Sequence, residues 1–381
     1  MDESTALPPS RGRLVSAGVI TAVFLLALSL IVAASWWRDR QVAEGFDLVR
    51  WERETVAGRW LYLAGVPLRD DLPEDEALRR YFALKPYDPE ARRLENRVER
   101  TVEGRIDATL DSLGIRVGPA LPGTVFPFVD IELASSPRVL VQSPRARIER
   151  VRADLLRPDL AMARVVAIEA EAEREHPDRR AIVVPSGGVA TYPAIVTDDG
   201  GYAEVVETAA HEWVHHYLAF YPLGRSYFSS RDAETINETV ADVIGEEVAG
   251  LIIERWGDPT RAGPPPAPSA RSTDLNATLR ALRLEVDTLL AAGKVDEAEG
   301  RMEQARGDFV LRGTPIRVLN QAFFAWYGTY AARPDSVDPL GGQLREIRER
   351  AGDLPAFVRE IRAVTSRGEI ETLLARLRAG G

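Results

Sequence analysis

The chain has 381 residues, of which 45% are apolar, a composition that allows it to bury a sizeable core. Its 58 acidic residues outnumber its 48 basic residues, and the net charge of −10 offers no electrostatic footprint for nucleic acid. The chain contains no cysteine, which excludes a disulfide framework, thiolate metal sites and cysteine nucleophiles. We therefore expect a folded protein that has no nucleic-acid partner.

An uncharged apolar run lies near the N-terminus, at residues 14–35. It is long enough to cross the hydrocarbon core of a bilayer as a helix, and two tryptophans follow it where an interfacial aromatic belt would lie. A cleavable signal peptide is the alternative, since Val32 and Ala34 could frame a cleavage site. We predict an N-terminal tail at 1–13, a single transmembrane anchor at 14–35 and a body outside the cytoplasm.

The region from 36 to 160 has helical periodicity first and strand signals later. Five apolar residues recur every four positions and align on one face of an amphipathic helix: Leu94, Val98, Val102, Ile106 and Leu110. The stretches 125–133 and 138–142 are short, rich in β-branched residues and bounded by Pro and Ser, which is typical of strands. We predict a juxtamembrane helical region followed by the first strands.

Helix and strand signals alternate from 161 to 262. The predicted elements are a helix at about 158–175, strands at 181–185 and 192–197, a helix from about 204 and a helix at about 233–256. The last helix ends where Gly, Asp and Pro follow one another. This alternation predicts a small mixed sheet beside two long helices.

A segment rich in Pro and Ser at 263–274 is predicted to be a loop. Beyond it, residues 275–381 have helical periodicity almost throughout. The predicted fold class is therefore α+β. It comprises an N-terminal transmembrane helix, a lobe that combines a small mixed sheet with the helix described next, and a mainly helical C-terminal lobe.

Three of the four histidines fall within six residues, at His211, His215 and His216. Residues 211–215 read H-E-W-V-H, and on a helix the two histidines four positions apart can reach one ion. Imidazole suits Zn²⁺, whose catalytic sites take three protein ligands and leave one position to water. Glu212 is then placed to accept a proton from that water. His216 lies about 140° around the helix from His211, which excludes it as a ligand.

The next predicted helix supplies carboxylates for the same ion. Glu238 follows His215 by 23 positions, enough for one helix to end, the chain to reverse and a second helix to present a side chain. Asp242, one turn later, could accept the remaining ring N–H of a ligand histidine. The alternative is a chance match, in which the motif is a polar helix face with a hydrogen-bonded histidine pair.

Residues 237–242 read N-E-T-V-A-D. Together with H-E-x-x-H, this segment resembles the gluzincin zinc metallopeptidases, the thermolysin-like and aminopeptidase-like enzymes whose third ligand is the Glu of N-E-x-x-[SA]-D. The resemblance covers about residues 181–250. It implies that His211, His215 and Glu238 bind Zn²⁺, that Asp242 orients His211, and that a peptide or protein is the substrate. The G-x-M-E-N exopeptidase motif is missing, so aminopeptidase activity is in doubt.

The resemblance implies further roles. In such enzymes an edge strand before the metal helix pairs with the substrate backbone, and residues 186–197 are the candidate segment. A Tyr or His also stabilises the oxyanion of the tetrahedral intermediate. The aromatic stretch 319–331 contains Tyr327 and Tyr330, and we predict that Tyr327 is the catalytic one. The alternative is that this stretch is an aromatic core stripe.

These observations predict a membrane-anchored zinc metallopeptidase, with Glu212 as the general base and both endopeptidase and aminopeptidase action open. A membrane-tethered interaction protein that keeps a gluzincin fold without turnover is one alternative. A zinc hydrolase that acts on a non-peptide amide is another. The presence of Glu212 favours an enzyme, because a protein that had lost turnover would be expected to lose the base or a ligand.

Overall fold

The structure is a computed structural model that describes residues 44–52, 55, 72–84, 88–120, 123–261, 263, 270–333 and 336–380. The principal helices are α1 (Glu74–Ala83), α2 (Pro89–Leu113), α3 (Met162–Glu175), α4 (Tyr202–Leu218), α5 (Pro222–Arg225), α6 (Arg231–Trp256), α7 (Ala270–Ala291), α8 (Val295–Leu311), α9 (Gln321–Tyr327), α10 (Leu340–Arg350), α11 (Leu354–Ile361) and α12 (Arg367–Ala379). The strands are β1 (Ile131–Leu133), β2 (Arg138–Pro144), β3 (Arg152–Leu156), β4 (Arg179–Pro185), β5 (Gly188–Val189) and β6 (Ala194–Val196).

The predicted fold class needs a correction. In the part of the chain that the structure describes, no helix is both long enough and apolar enough to cross a bilayer. The longest helices, α2 and α6, carry charged residues along their length. The span predicted at 14–35 lies outside the described residues. The fold class is corrected to a mixed protein of many helices and two small sheets, and the predicted single-pass membrane location is not supported.

The strands form two separate three-stranded sheets. In the first, of order β1-β6-β5, β1 runs parallel to β6 and β5 is antiparallel to it. In the second, of order β3-β2-β4, both neighbours run antiparallel to β2. The predicted strands correspond to β1, β2, β4 and β6. Sequence patterns missed β3, because Arg-Ala-Asp-Leu-Leu has no β-branched residue and its pairing with β2 decides its conformation.

The main core surrounds α2, α4 and α6. The predicted apolar face of α2 is confirmed, since Val98, Val102, Ile106 and Leu110 are fully buried. The helix begins after Asp88, whose side chain caps the N–H of Glu90, and ends at a left-handed glycine. It packs against the two central helices, and none of its residues lines the cleft described below.

A glycine allows α4 and α6 to approach closely. A Cβ at Gly245 would lie 3.1 Å from the backbone nitrogen of His211 and 3.2 Å from the carbonyl oxygen of Glu207. Any side chain at this position would push the helices apart. The backbone of α6 thus lies directly against the turn of α4 that carries the first histidine of the motif.

The described part of 275–381 contains helices and no strand, as predicted. Helices α7 and α8 contact each other and share a core of their own with the start of α9. Helix α9 also packs on the sheet β3-β2-β4, through Ala322 and Trp326. The helix α7 begins at Ala270, inside the stretch predicted to be a loop.

A cluster of carboxylates on α2 and β1 makes the stability of the folded state depend on pH. Burial, together with Glu132 and Asp198, raises the pKa of Glu95 to about 7. The carboxyl group of Glu95 therefore binds its proton more tightly in the folded state than in the unfolded chain. The stabilisation that results is present at low pH and is lost as pH rises through about 7. We predict that Glu95→Gln raises the melting temperature relative to wild type by a few degrees more at pH 8 than at pH 5.

Scanning calorimetry at the two pH values checks this, with Glu371→Gln on an exposed part of α12 as the control for losing a surface carboxylate. The same difference at pH 5 and pH 8 for Glu95→Gln would contradict the assignment.

Candidate metal centre

Two helices bring three metal-binding side chains together. His211 and His215 lie on α4 and Glu238 lies on α6, and one ligand atom from each lies within 4.8 Å of the others. The Nε2 atoms of the two histidines are 3.0 Å apart, and Oε2 of Glu238 is 3.4 Å and 3.6 Å from them. The three residues that the sequence predicts as ligands thus converge on one point.

Each ligand histidine has a partner on its other ring nitrogen. Nδ1 of His211 lies 3.0 Å from a carboxylate oxygen of Asp242, and Nδ1 of His215 lies 2.8 Å from Oδ1 of Asn237. The amide nitrogen of Asn237 donates to the carbonyl of Leu223, so its oxygen is the atom that faces His215. With a metal bound, these partners would hold a proton on Nδ1 of both rings and leave the Nε2 lone pairs free to bind the ion.

The side chains of His211, His215 and Glu238 could hold a cation. The two Nε2 atoms, 3.0 Å apart, both face the carboxylate of Glu238, so positive charge at this point is stabilised, whether it comes from a proton on an imidazole or from a metal ion. Burial lowers the pKa of His211, but hydrogen bonds with Asp242 and Glu238 more than offset this and raise it well above its usual range. Burial raises the pKa of Glu238, yet the two histidines hold it well below its usual range. Two neutral nitrogens and one carboxylate form a donor set that fits Zn²⁺.

Glu212 follows the first ligand and lies on the side of α4 that faces β5. A Cβ at Gly188 would lie 3.0 Å from Cγ of Glu212 and closer still to its carboxylate, so a larger residue here would force the Glu212 side chain to move. Burial raises the pKa of Glu212, while the two ligand histidines lower it, and the net shift is upward. A buried carboxylate of raised basicity beside a metal site can serve as a proton acceptor.

Tyr227, in the connection between α5 and α6, is a site residue that the sequence did not indicate. Its hydroxyl donates a short hydrogen bond to Oε1 of Glu238, the oxygen that does not face the histidines. Burial and the carboxylates of Glu238 and Glu234 raise its pKa well above the usual range, so the hydroxyl keeps its proton. A lone tyrosine in a connecting segment carries no sequence signal for such a role.

The two tyrosines at the end of α9 differ in their surroundings. The residue after Tyr330, Ala331, donates its backbone N–H to the hydroxyl of Thr239, which follows Glu238 on α6. Burial and the carboxylates of Glu238, Asp242 and Glu212 raise the pKa of Tyr330 well above the usual range. Tyr327 instead packs on Phe323 and lies under the guanidinium of Arg333. Both tyrosines line the cleft, and the pKa of Tyr330 is influenced by the carboxylates of the site.

These residues line a cleft of about 1370 Å³. The connection from β4 through β5, Pro185 to Thr191, forms one wall, and Trp326, Tyr327 and Tyr330 line the cleft from the C-terminal part of the chain. Strand β5 is an edge strand of its sheet and belongs to the segment predicted to pair with substrate. The metal ligands thus face a space that is large enough for several residues of an extended chain.

The third clustered histidine, His216, does not join the ligand set of the described residues. It is buried at 3% exposure, and burial together with the neighbouring His215 lowers its pKa to about 4. The ring is therefore neutral near pH 7.

Comparison of the chain with protein-family models, with curated proteins and with solved structures gave no match. The function proposed below is therefore inferred from the geometry of the site.

The ligand geometry predicts that each chain binds about one zinc ion. The variant His211→Ala should lose this ion. Asp242→Asn should weaken zinc binding by about 10 to 100-fold, because the variant loses the carboxylate that fixes the tautomer of His211. Glu238→Ala, which deletes a ligand, should bind more weakly still. Chelator competition measures all three affinities.

Glu246→Gln is the matched control, since Glu246 lies one turn beyond Asp242 on α6 and outside the ligand cluster. Equal zinc affinity of wild type and Asp242→Asn would refute the role of Asp242.

Proposed function

We propose that this protein is a zinc metallopeptidase of the gluzincin type that hydrolyses peptide bonds in an extended peptide or protein substrate. The observation that carries the proposal is the convergence of His211, His215 and Glu238 with the carboxylate of Glu212 beside them. Structural histidine clusters need a hydrogen-bond partner for each ring, but they do not need the Nε2 atoms of two histidines and a carboxylate oxygen to converge on one point.

His211, His215 and Glu238 would hold the metal ion. When bound, zinc supplies a Lewis acid that polarises a carbonyl and makes water acidic enough to react at neutral pH. Glu212 accepts the proton of the attacking water and can pass it to the leaving amine. Its buried position beside β5 keeps the carboxylate poorly solvated, which favours proton uptake.

Two hydroxyl groups are available for the negative charge that develops on the carbonyl oxygen. Tyr330 keeps its proton and is held beside Glu238 through the hydrogen bond of the next residue to Thr239. The single hydroxyl proton of Tyr227 is donated to Glu238, so Tyr227 could serve as a second donor only if it released that hydrogen bond. Preorganised donors of this kind stabilise an oxyanion more strongly than water does. We therefore assign the oxyanion role to Tyr330 in preference to Tyr327.

The edge of β5 supports a peptide as the substrate. An edge strand presents backbone N–H and C=O groups that an extended chain can pair with, whatever its side chains. Because Gly188 of this strand lies against Glu212, a chain paired with β5 would pass directly over the proposed base.

We predict that Glu212→Gln retains zinc and loses peptide hydrolysis by a factor on the order of 10² to 10⁴, because the amide keeps the shape of the side chain without its basicity. Hydrolysis of a quenched fluorescent peptide library by the zinc-loaded protein measures the loss. A variant as active as wild type would remove Glu212 from the mechanism. A zinc-loaded wild type that cleaves no peptide would favour the interaction protein or the hydrolase of other amides.

The two tyrosines near the C-terminal end of α9 provide a matched pair. Tyr330→Phe should lower kcat about 10² to 10³-fold with KM little changed, as expected for loss of an oxyanion donor. Tyr327→Phe should change kcat much less, because its ring packs on Phe323 and under Arg333. The reverse order of effects in steady-state kinetics would restore Tyr327 as the catalytic tyrosine.

A further inference from the structure

His216 is a buried polar side chain that the proposed mechanism does not use. It follows the ligand His215 directly in the sequence, and its ring packs against Tyr192. A fully buried imidazole costs free energy unless its polar atoms are hydrogen-bonded. The contacts of this ring therefore indicate what the residue does.

The ring of His216 contacts the turn that follows β5. It hydrogen-bonds to the backbone of Ala190 and Thr191, and these bonds favour its protonated form, as donation to carbonyl oxygens would. Its ring also packs edge-on against Tyr192, with the ring centroids 5.7 Å apart. All three contacts are made with the segment that joins β5 to β6.

Glu212 and His216 are four residues apart on α4, so they lie on the same face of the helix. Glu212 meets the chain at Gly188, and His216 meets it at Ala190 and the following two residues. Glu212 therefore lies against the start of β5, and His216 binds the turn that follows it. The distance and the register of this edge relative to the metal ligands depend on both contacts.

Register matters because successive residues of a strand are about 3.3 Å apart, whereas a reacting carbonyl must be placed within about 1 Å. A peptide paired with an edge strand moves with that strand. A loose β5 would shift the peptide relative to Glu212 even if the metal ligands stayed in place.

We propose that His216 is a positioning residue that fixes the β5 edge, and with it the backbone of a bound peptide, over the metal centre. This inference rests on the proposed function. It assigns to the third histidine of the cluster a role in binding extended peptide backbone that is separate from binding metal.

Two zinc-binding probes separate these roles. Acetohydroxamate can engage only the metal and its immediate neighbours, whereas a dialanyl hydroxamate also presents backbone groups to β5. His216→Phe keeps an aromatic ring against Tyr192 but removes the N–H. It should weaken dialanyl hydroxamate binding about tenfold, the effect of losing one or two hydrogen bonds. Acetohydroxamate affinity and zinc content should be unchanged.

His216→Asn, which keeps a donor close to the position of Nδ1, should recover most of the affinity for the dialanyl probe. His176→Phe is the control, because His176 ends α3 and does not line the cleft. If His216→Phe does not fold, Tyr192→Leu removes the ring contact from the strand side and should give the same selective loss. Affinities are measured by titration calorimetry on zinc-loaded protein.

Equal weakening of both probes would mean that His216 supports the metal site, and no weakening of either would mean that it only fills the core; each overturns the inference. A wild-type protein that binds the dialanyl probe no more tightly than acetohydroxamate would instead contradict peptide recognition by this cleft. That result would reject the proposed function, and the inference with it.

Discussion

The close contact between α4 and α6 is the constraint on which the site depends. Gly245 allows the backbone of α6 to lie against the turn of α4 that carries His211. With the helices at this separation, side chains one turn apart on α6 meet both histidines: Glu238 at the Nε2 atoms and Asp242 at the outer nitrogen of His211. A bulkier residue in place of the glycine would move the ligands apart, although every ligand residue would be unchanged.

The carboxylates of the site need positive charge near them, which protonated histidines or a bound cation can supply. Glu212, Glu238 and Asp242 lie close to two histidines whose outer nitrogens already have acceptors. Burying several carboxylates is costly unless positive charge compensates them, because the low dielectric of the interior strengthens their repulsion. The same groups keep the hydroxyls of Tyr227 and Tyr330 protonated. One metal ion would thus account for the unusual electrostatics of ligands, base and donors together.

The cleft is formed by parts of the chain that are far apart in sequence. The wall from Pro185 to Thr191 precedes the metal helix, whereas Tyr330 follows it by more than 100 residues and is tied to α6 through Thr239. Contacts from α4 hold the β5 wall at Gly188 and at the turn that follows it. Helix α4 therefore positions both the proposed reacting groups and the surface on which a peptide would lie.

Sequence alone determined the features that depend on local spacing. The four-residue interval between His211 and His215 puts both on one helix face, and the same rule predicted Asp242 beside the ligand set and excluded His216 from it. The apolar repeat of α2 predicted its buried face for the same reason. Only the tertiary structure decided the contacts that cross the chain: the hydrogen bond of Tyr227 to Glu238, the link from Ala331 to Thr239, the close approach of Gly188 to Glu212 and the pairing of β3. Periodicity reports which face of an element is buried, but not which distant segment covers it, because that choice depends on packing among all the elements at once.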